Sequence, residues 1–249
     1  MNDTKQALNE HLSSQLRAWE SRPLLRKFYA NWYDLVEQRL AQVPGRSVEL
    51  GSGIGGFAEG RPAIISSDVE ETPWAEMVVD GENLPFEDGS LANLILIDVF
   101  HHLAAPARFL SEAVRALDSG GRIVMVEPYC SPLSTFAYRR FHEEDLDLSA
   151  DPLAENASLR DAPMDANIAT PTLAFYRRWD VVGRAYPELA LIERRRLTSL
   201  AYVLSGGYSR AQLVPDGVYP LLRVLEAALR PLAPLAAFRC LIVLERSQR

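Results

Sequence analysis

The stretch VELGSGIGGF, residues 48–57, contains two overlapping glycine patterns, and the choice between them decides the fold and its ligand. The first pattern, G-x-G-x-x-G, is formed by Gly51, Gly53 and Gly56. The second, E-x-G-x-G-x-G, is formed by Glu49, Gly51, Gly53 and Gly55. In both patterns, glycines that follow a strand let the backbone lie against a ligand where a Cβ atom would obstruct it. The stretch therefore predicts a cofactor-binding loop at the end of the first strand.

Glu49 belongs only to the second pattern, and its negative charge helps to decide between the two candidate ligands, a dinucleotide and S-adenosylmethionine. The pyrophosphate of a dinucleotide binds backbone amides at a helix N-terminus, and a carboxylate repels it. The sulfonium and ammonium groups of S-adenosylmethionine are cationic, and a carboxylate attracts them. Only about seven residues separate Gly56 from Ile64, and they include Gly60 and Pro62, which leaves little room for a phosphate-binding helix. These features favour S-adenosylmethionine over a nicotinamide dinucleotide.

The composition excludes several other classes of protein. The chain has 249 residues, 48% of them hydrophobic and 24% charged, which is typical of a globular protein with a substantial core. Its formal net charge of −7 argues against binding to nucleic acid, which requires clustered Lys and Arg. Cys130 and Cys240 have neither a disulfide framework nor a metal-ligand spacing, which favours the reducing cytoplasm. The N-terminal segment lacks the apolar core of a signal peptide, and charges and prolines interrupt the apolar tract 218–244, so no transmembrane segment is expected.

The order of the segments predicts a helical cap at 1–43 and a catalytic domain at 44–249. Residues 4–40 have helical character, interrupted at Pro23. Short apolar runs then alternate with helical segments, and LILIDV and RIVMVE are the clearest central strands of a parallel sheet. We expect a helix over 107–117 that Gly120 and Gly121 terminate. The acidic, proline-containing segment at about 130–180 is interpreted as an inserted lid, helical over 135–141, and FRCLIVLER as the final strand.

The ordered set of motifs resembles the class I, S-adenosylmethionine-dependent methyltransferases, specifically the broad group with the type-11 methyltransferase domain. The motifs are VELGSGIGG, SSD, VVDGENLPFEDGS, LILIDVFHHL and FLSEAVRALDSGGRIVMVEP, within residues 47–127. This resemblance implies a Rossmann-like, doubly wound, mostly parallel sheet of seven strands with an antiparallel last strand. The chain departs from the family pattern in the shortened segment after the loop, in LANL (91–94) and at Ser119. The tail resembles a subgroup associated with bacterial polysaccharide and secondary-metabolite clusters.

The resemblance also implies the positions of the cofactor contacts. The methionine part would contact the loop, and Asp68 would bind both ribose hydroxyls. The end of the third strand would hold the adenine, and Asp98 would lie over the cofactor at the mouth of the acceptor pocket. The predicted cofactor-binding residues are Glu49, Gly51, Ser52, Gly53, Gly55, Asp68, Asp80, Gly81, Glu82, Leu84 and Asp98.

Three of the four histidines are candidate bases: His101, His102 and His142. A structural or cofactor-shaping role is the alternative for the adjacent pair, of which one ring is expected to point away from the cofactor because neighbouring helix positions do not share a face. His142 is followed by Glu143, Glu144 and Asp145, any of which would orient its ring, although a solvated acidic lid is the alternative. Adjacent histidines and distant carboxylates match no known ligand spacing, so no metal site is expected.

The sequence predicts transfer of a methyl group to a small-molecule acceptor, with the hydroxyl oxygen of a sugar or natural-product scaffold favoured. Nitrogen, carbon and sulfur acceptors stay open, as do a nicotinamide-dependent oxidoreductase and a non-catalytic cofactor-binding protein. The residues Trp19, Phe28, Tyr29, Trp32 and Tyr33 would line the pocket or pack in the core. The expected assembly is a monomer or homodimer, and the apolar tract leaves peripheral membrane contact open.

Overall fold

The computed structural model describes residues 2–142, 144–153, 166–208 and 210–247. The strands are β1 Arg46–Leu50, β2 Ile64–Asp68, β3 Met77–Val78, β4 Leu91–Ile97, β5 Leu117–Pro128, β6 Leu189–Leu197 and β7 Arg239–Arg246. The helices are α1 Asn2–Ser21, α2 Pro23–Glu37, α3 Pro106–Ala116, α4 Pro132–Phe141, α5 Thr170–Thr172, α6 Trp179–Ala185, α7 Leu200–Ser205, α8 Tyr219–Leu229 and α9 Ala233–Ala236. A π-helical turn, Leu173–Arg177, lies between α5 and α6.

In the described part of the chain, seven strands form one sheet in the order β3-β2-β1-β4-β5-β7-β6. Strands β1 to β5 pair in parallel, and β7 is antiparallel to both β5 and β6. The predicted fold class, a mostly parallel seven-stranded sheet with an antiparallel last strand, is confirmed. Because β1 to β5 are parallel, their carboxyl ends meet at one edge of the sheet, where ligands bind in open α/β sheets.

Both faces of the sheet are covered, which explains the continuous apolar runs of the central strands. Leu94 and Leu96 of β4 pack on one face with Phe109 of α3. Ile95 points to the opposite face, where it packs in a cluster that includes Trp32 of α2. The helix α2 therefore contributes to the core of the sheet, and the division of the chain at residue 43 stays a prediction.

The glycine pair after α3 has a different role from the predicted helix cap. The helix ends at Ala116, and Leu117 is already extended and begins β5. Gly120 has a φ of +78°, but it lies in β5 where the pairing with β4 jumps from Leu91–Leu117 to Asn93–Arg122. The predicted cap is thus wrong, because the positive φ serves a bulge in the strand.

The helix predicted over 135–141 lies within α4, Pro132–Phe141, and the role of the surrounding segment as a lid stays a prediction. Ser131 caps this helix, and its hydroxyl accepts the Ser134 N–H at 3.1 Å. Residue 143 and residues 154–165 of the predicted lid lie outside the described residues. Among the residues that are described, no helix combines the length and apolar character needed to span a membrane.

Candidate functional site

The glycine loop follows β1 and turns with left-handed backbone conformations. Gly51, Gly53 and Gly55 have φ values of +62°, +54° and +80°, which side chains rarely adopt. Two backbone hydrogen bonds fix the loop: Ser52 N–H donates to Ser67 O at 2.8 Å, and Gly55 N–H donates to Ser52 O at 2.7 Å. The second glycine pattern therefore matches the residues at which the backbone requires glycine.

Gly56, which distinguishes the first glycine pattern, is explained by packing. Its φ is not positive, so its backbone conformation does not require glycine. A Cβ at this position would, however, collide with the hydroxyl of Tyr33. The chain between β1 and β2 also forms turns and contains no helix, so the loop offers no helix N-terminus to a pyrophosphate. The structure thus provides a reason for G-x-G-x-x-G that involves no dinucleotide.

Gly51→Ala is expected to destabilise the fold by about 1–3 kcal/mol. A Cβ at Gly51 would lie 2.6 Å from the Cγ2 atom of Val99, and the φ of +62° would add strain. Urea denaturation measures the loss. Gly217→Ala is the matched control, because a Cβ at Gly217 meets no atom within 4 Å. Equal stability of the two variants would contradict the packing assigned to Gly51.

Glu49 is a buried carboxyl group beneath the loop, with only 4% of its surface exposed. Its Oε2 accepts the Ala58 N–H at 3.0 Å. Burial raises the pKa of Glu49 to about 8, although the Ala58 N–H and the charge of Arg61 lower it. A buried acid with so little compensation favours a cationic ligand group beside it.

Asp68 and Ser52 complete the polar surface of the loop. Asp68, at the end of β2, accepts the Gly53 N–H through Oδ2 at 2.9 Å. The Oγ atom of Ser52 is buried and has no hydrogen-bond partner within the described residues. Such an unpaired hydroxyl is costly unless a ligand pairs with it. The positions fit a polar cofactor that contacts both side chains.

The loop after β3 is held by its own side chains. Asp80 accepts the Glu82 N–H at 2.8 Å, and Glu82 accepts the Ala105 N–H through Oε1 at 2.7 Å. Leu84 is buried in the core, and Gly81 packs near Leu50. These contacts fix the loop at the carboxyl edge of the sheet, and the adenine contacts predicted for it stay predictions.

Asp98 lies directly after β4, between the glycine loop and the histidines. Its backbone is left-handed, with a φ of +59°. The carboxylate pairs with buried Arg239 at 3.2 Å and accepts the Tyr29 hydroxyl at 3.5 Å. Burial raises the pKa of Asp98, and Arg239 opposes the shift. The guanidinium of Arg239 also lies 4.8 Å from the ring centre of Tyr202.

The aromatic residues of α2 pack in the core, as one of the two predicted alternatives requires. Phe28, Tyr29, Trp32 and Tyr33 are buried in one cluster, and Trp19 packs against it. Tyr29 nevertheless reaches Asp98 with its hydroxyl. The aromatic cluster therefore forms one wall beside the candidate site.

Glu127 organises the turn that carries the adjacent histidines. This fully buried carboxylate, at the end of β5, accepts the N–H groups of Val99 and Phe100 at 2.9 and 2.7 Å. Its second oxygen lies 2.7 Å from Nδ1 of His101. Three contacts to one carboxylate fix the direction of the His101 ring.

All three histidine candidates meet at Glu144. Nε2 of His101 lies 3.4 Å from one oxygen of Glu144, and Nε2 of His102 lies 3.9 Å from the other. Nδ1 of His142 is 3.9 Å from the first oxygen. Both rings of the adjacent pair lie in a 3₁₀ turn, and the carboxylate presents an oxygen to each, so the helical spacing used in the sequence argument does not apply here. The expectation that one ring points away from the cofactor stays a prediction.

The charges of the cluster are strongly coupled. Hydrogen bonds to Glu127 and Glu144 raise the pKa of His101 to about 9 against the opposing effect of burial. Burial raises the pKa of Glu144, but the hydrogen bond to His101 and the charges of the three histidines outweigh it and lower this pKa to about 2. In the ligand-free protein, His101 is thus protonated at neutral pH and has no lone pair for a substrate proton. His102 and His142 remain the better candidate bases.

The sequence reasoning missed Glu127, Asn167 and Arg239. Asn167 donates its backbone N–H to His101 O at 3.0 Å, and its side chain binds the backbone of Asp147 in both directions. It therefore fixes the segment that carries Glu144 against the histidine turn. Glu127 was detectable in principle, because it ends a strand next to β4; the contacts of Asn167 have no local sequence signal.

Residues 49–125 match a family model described as a methyltransferase domain. An uncharacterized 37.1 kDa protein of a transposon from Streptomyces fradiae is 45% identical over 60 residues, which are 24% of this chain and 17% of that protein. The chain spans less than two thirds of the curated relatives it matches, with 17% and 56% of their lengths covered.

Solved structures of other proteins share the fold, among them the following two. A possible histamine N-methyltransferase from Thermotoga maritima has a TM-score of 0.54 at 18% identity, with 96% of this chain and 99% of that chain covered. Geranyl diphosphate C-methyltransferase from Streptomyces coelicolor, crystallised with S-adenosyl-L-homocysteine, has a TM-score of 0.54 at 13% identity, with 87% and 78% covered.

Proposed function

We propose that this chain, whose residues 49–125 match a methyltransferase-domain model, is a class I, S-adenosylmethionine-dependent enzyme that methylates a hydroxyl oxygen of a small molecule, a sugar or a natural-product scaffold. The observation that carries this proposal is the convergence of His101, His102 and His142 on Glu144, beside Asp98. A hydroxyl group must lose its proton during methylation, and His102 and His142 of this cluster are the candidate acceptors of that proton.

The residues of the loop fit S-adenosylmethionine. When bound, this cofactor supplies a methyl group on a cationic sulfur that is activated for displacement. The buried carboxyl group of Glu49 suits the ammonium group of the methionine part, and Ser52 has an unpaired hydroxyl for a polar ligand atom. Asp68 would bind the ribose while it holds Gly53. The roles of Asp80, Gly81, Glu82 and Leu84 towards the adenine complete the proposed site.

The affinity for S-adenosylhomocysteine is expected to rise with pH below about pH 8. Glu49, with a pKa of about 8, is mostly protonated at neutral pH, and a bound ammonium favours its ionised form. Binding therefore releases a proton, and the affinity rises by up to about tenfold per pH unit below the pKa. Calorimetric titrations in buffers of different ionisation enthalpy measure both effects. Glu49→Gln should remove them, and a wild-type affinity that is independent of pH would contradict the assignment.

Asp68→Ala is expected to weaken S-adenosylhomocysteine binding by about 1–3 kcal/mol, the scale of hydrogen bonds to a charged acceptor. The substitution removes the proposed ribose contact and the support of the Gly53 N–H. Titration calorimetry measures the change. Asp118→Ala is the matched control, since Asp118 also accepts a backbone N–H, that of Ser119 at 2.7 Å, but lies in the bulge of β5. An unchanged dissociation constant in Asp68→Ala would remove the ribose assignment.

The experiment that tests the proposal also covers the alternative acceptor atoms and a non-catalytic role. The structural neighbours include a C-methyltransferase and a possible N-methyltransferase, so carbon, nitrogen and sulfur acceptors are included. S-adenosylhomocysteine formation with panels of hydroxylated, amine and thiol compounds and with activated carbon acceptors separates these classes. Turnover only with hydroxylated compounds supports the proposal. Turnover only with another class contradicts it, and cofactor binding without turnover across the panels supports a non-catalytic binding protein.

The remaining proposals concern the partners, the oligomeric state and the localisation of the protein. The acidic net charge argues against a nucleic-acid partner, and a cytoplasmic monomer or homodimer is proposed. The exposed apolar side chains of α8 and α9 support contact with a membrane surface or a second copy: Leu221, Val224, Leu225 and Leu235.

A further inference from the structure

We propose that His101, His102 and Glu144 form a binding site for a divalent transition-metal ion, with Zn²⁺ as the best match. One ligand atom from each of these residues lies within 4.8 Å of the others. Two imidazoles and one carboxylate are a donor set that zinc uses in catalytic sites, in which a further position stays open. The metal site stands on its own geometry, and only its role towards an acceptor rests on the proposed function.

The distances suit a small cation. Ligand atoms about 2.0–2.2 Å from a tetrahedral zinc ion lie roughly 3.3–3.6 Å from one another. The oxygens of Glu144 lie 3.4 Å from Nε2 of His101 and 3.9 Å from Nε2 of His102. The two contacts of Glu144 are therefore close to zinc-binding distance, and the 4.8 Å limit on the whole set means that the groups would have to move inward by up to about 1 Å.

Glu127 supplies a second feature of metal sites. A histidine that binds a metal commonly donates its other ring N–H to a carboxylate, which fixes the tautomer and the ring direction. The contact of 2.7 Å between Nδ1 of His101 and Glu127 has this arrangement. It directs Nε2, the remaining nitrogen, towards Glu144.

The residues of the cluster are unequally buried, so one side of it is accessible to solvent. The side chain of His101 is 3% exposed, whereas those of His102 and Glu144 are 21% and 24% exposed. His142, 38% exposed, lies on the accessible side, with Nδ1 3.9 Å from the same carboxylate. An accessible coordination position next to Asp98 suits an acceptor hydroxyl, whose acidity a metal ion increases.

The prediction of no metal site, made from the sequence, rested on the spacing of the ligands along the chain. The spacing gives no sign of the cluster, because Glu144 comes close to the histidine turn only in the folded protein. The bridge between Asp145 and Asn167, and the bond from Asn167 N–H to His101 O, bring the two segments together. We therefore replace that prediction with a metal site at Glu144.

The test is a calorimetric titration of the protein, loaded with S-adenosylhomocysteine, with ZnCl₂, CoCl₂ and MgCl₂ separately. One Zn²⁺ ion per chain is expected to bind, Co²⁺ should give visible d–d absorption bands typical of nitrogen and oxygen ligands, and Mg²⁺ should bind far more weakly. Glu144→Gln and His102→Ala should weaken Zn²⁺ binding at least about tenfold. Glu87→Gln, at an exposed carboxylate, is the matched control and should bind like the wild type.

Glu127→Gln tests the tautomer separately. A glutamine amide can still accept the Val99 and Phe100 N–H groups while it donates to Nδ1 of His101. The ring proton then moves to Nε2, so Zn²⁺ binding should fall about 10- to 100-fold although the variant folds. Thermal unfolding of every variant confirms that a loss of binding is not a loss of structure.

Two results would overturn the proposal. Absence of Zn²⁺ and Co²⁺ binding to protein that still binds S-adenosylhomocysteine would remove the metal site and leave the proposed function intact. Zn²⁺ binding of unchanged affinity in both Glu144→Gln and His102→Ala would place the ion elsewhere. Absence of S-adenosylhomocysteine binding with Zn²⁺ binding retained would instead contradict the proposed function and support the metal site.

Discussion

His142→Ala is expected to lower kcat for a hydroxylated acceptor by about 100- to 10,000-fold, the contribution typical of a general base. The imidazole of His142 is accessible, and its Nδ1 lies 3.9 Å from the carboxylate of Glu144. This negative charge stabilises the imidazolium that forms when the ring accepts the hydroxyl proton. The glycine loop does not involve His142, so the affinity for S-adenosylhomocysteine should stay unchanged.

The measurement compares S-adenosylhomocysteine formation with its binding in the same variant. Arg140→Ala is the matched control, because Arg140 is an exposed residue near the end of α4, the helix that His142 directly follows. It should retain both turnover and affinity. Full activity in His142→Ala would return this histidine to the solvated lid and exclude it as the base.

Glu127→Ala is expected to lower the free energy of unfolding by about 3–5 kcal/mol, the cost of breaking a buried charged network. The carboxylate is completely buried and accepts two backbone N–H groups as well as the His101 ring. Its removal leaves these donors buried without a partner and leaves a cavity beside the turn. The turn that carries His101 and His102 would lose its anchor.

Urea denaturation followed by circular dichroism measures this loss. Glu245→Ala is the matched control, because Glu245 lies on the neighbouring strand β7 but forms a partly exposed ion pair with Arg122 at 2.8 Å. Its loss should cost less than about 1 kcal/mol. If both variants were equally stable, the network around Glu127 would not have the structural role assigned to it.

The sequence predicted the sheet and the cofactor loop because both depend on local patterns. The apolar runs of β4 and β5 have the composition of strands buried on two faces. The glycine loop requires positive φ values at Gly51, Gly53 and Gly55, and the sequence has glycine at each. The role of Gly56 became clear only in three dimensions, because the contact that excludes a side chain comes from Tyr33 of α2.

The histidine cluster depends on contacts between distant parts of the chain. The sequence identified His101, His102 and His142 as separate candidates, and it included Glu144 among three possible partners of His142. It did not predict that one carboxylate joins all three rings, because this depends on how the segment after α4 packs against the turn after β4. Gly120 shows the same limit: the sequence predicted that it ends a helix, but it lies in a bulge of β5.

The most direct test of the central claim is a pair of calorimetric titrations of the wild-type protein, one with S-adenosylhomocysteine and one with NADH. The loop built on Glu49, with a glycine at each left-handed position and no following helix, predicts one S-adenosylhomocysteine molecule bound per chain and no binding of NADH. Binding of NADH without binding of S-adenosylhomocysteine would contradict the account and assign VELGSGIGGF to a dinucleotide.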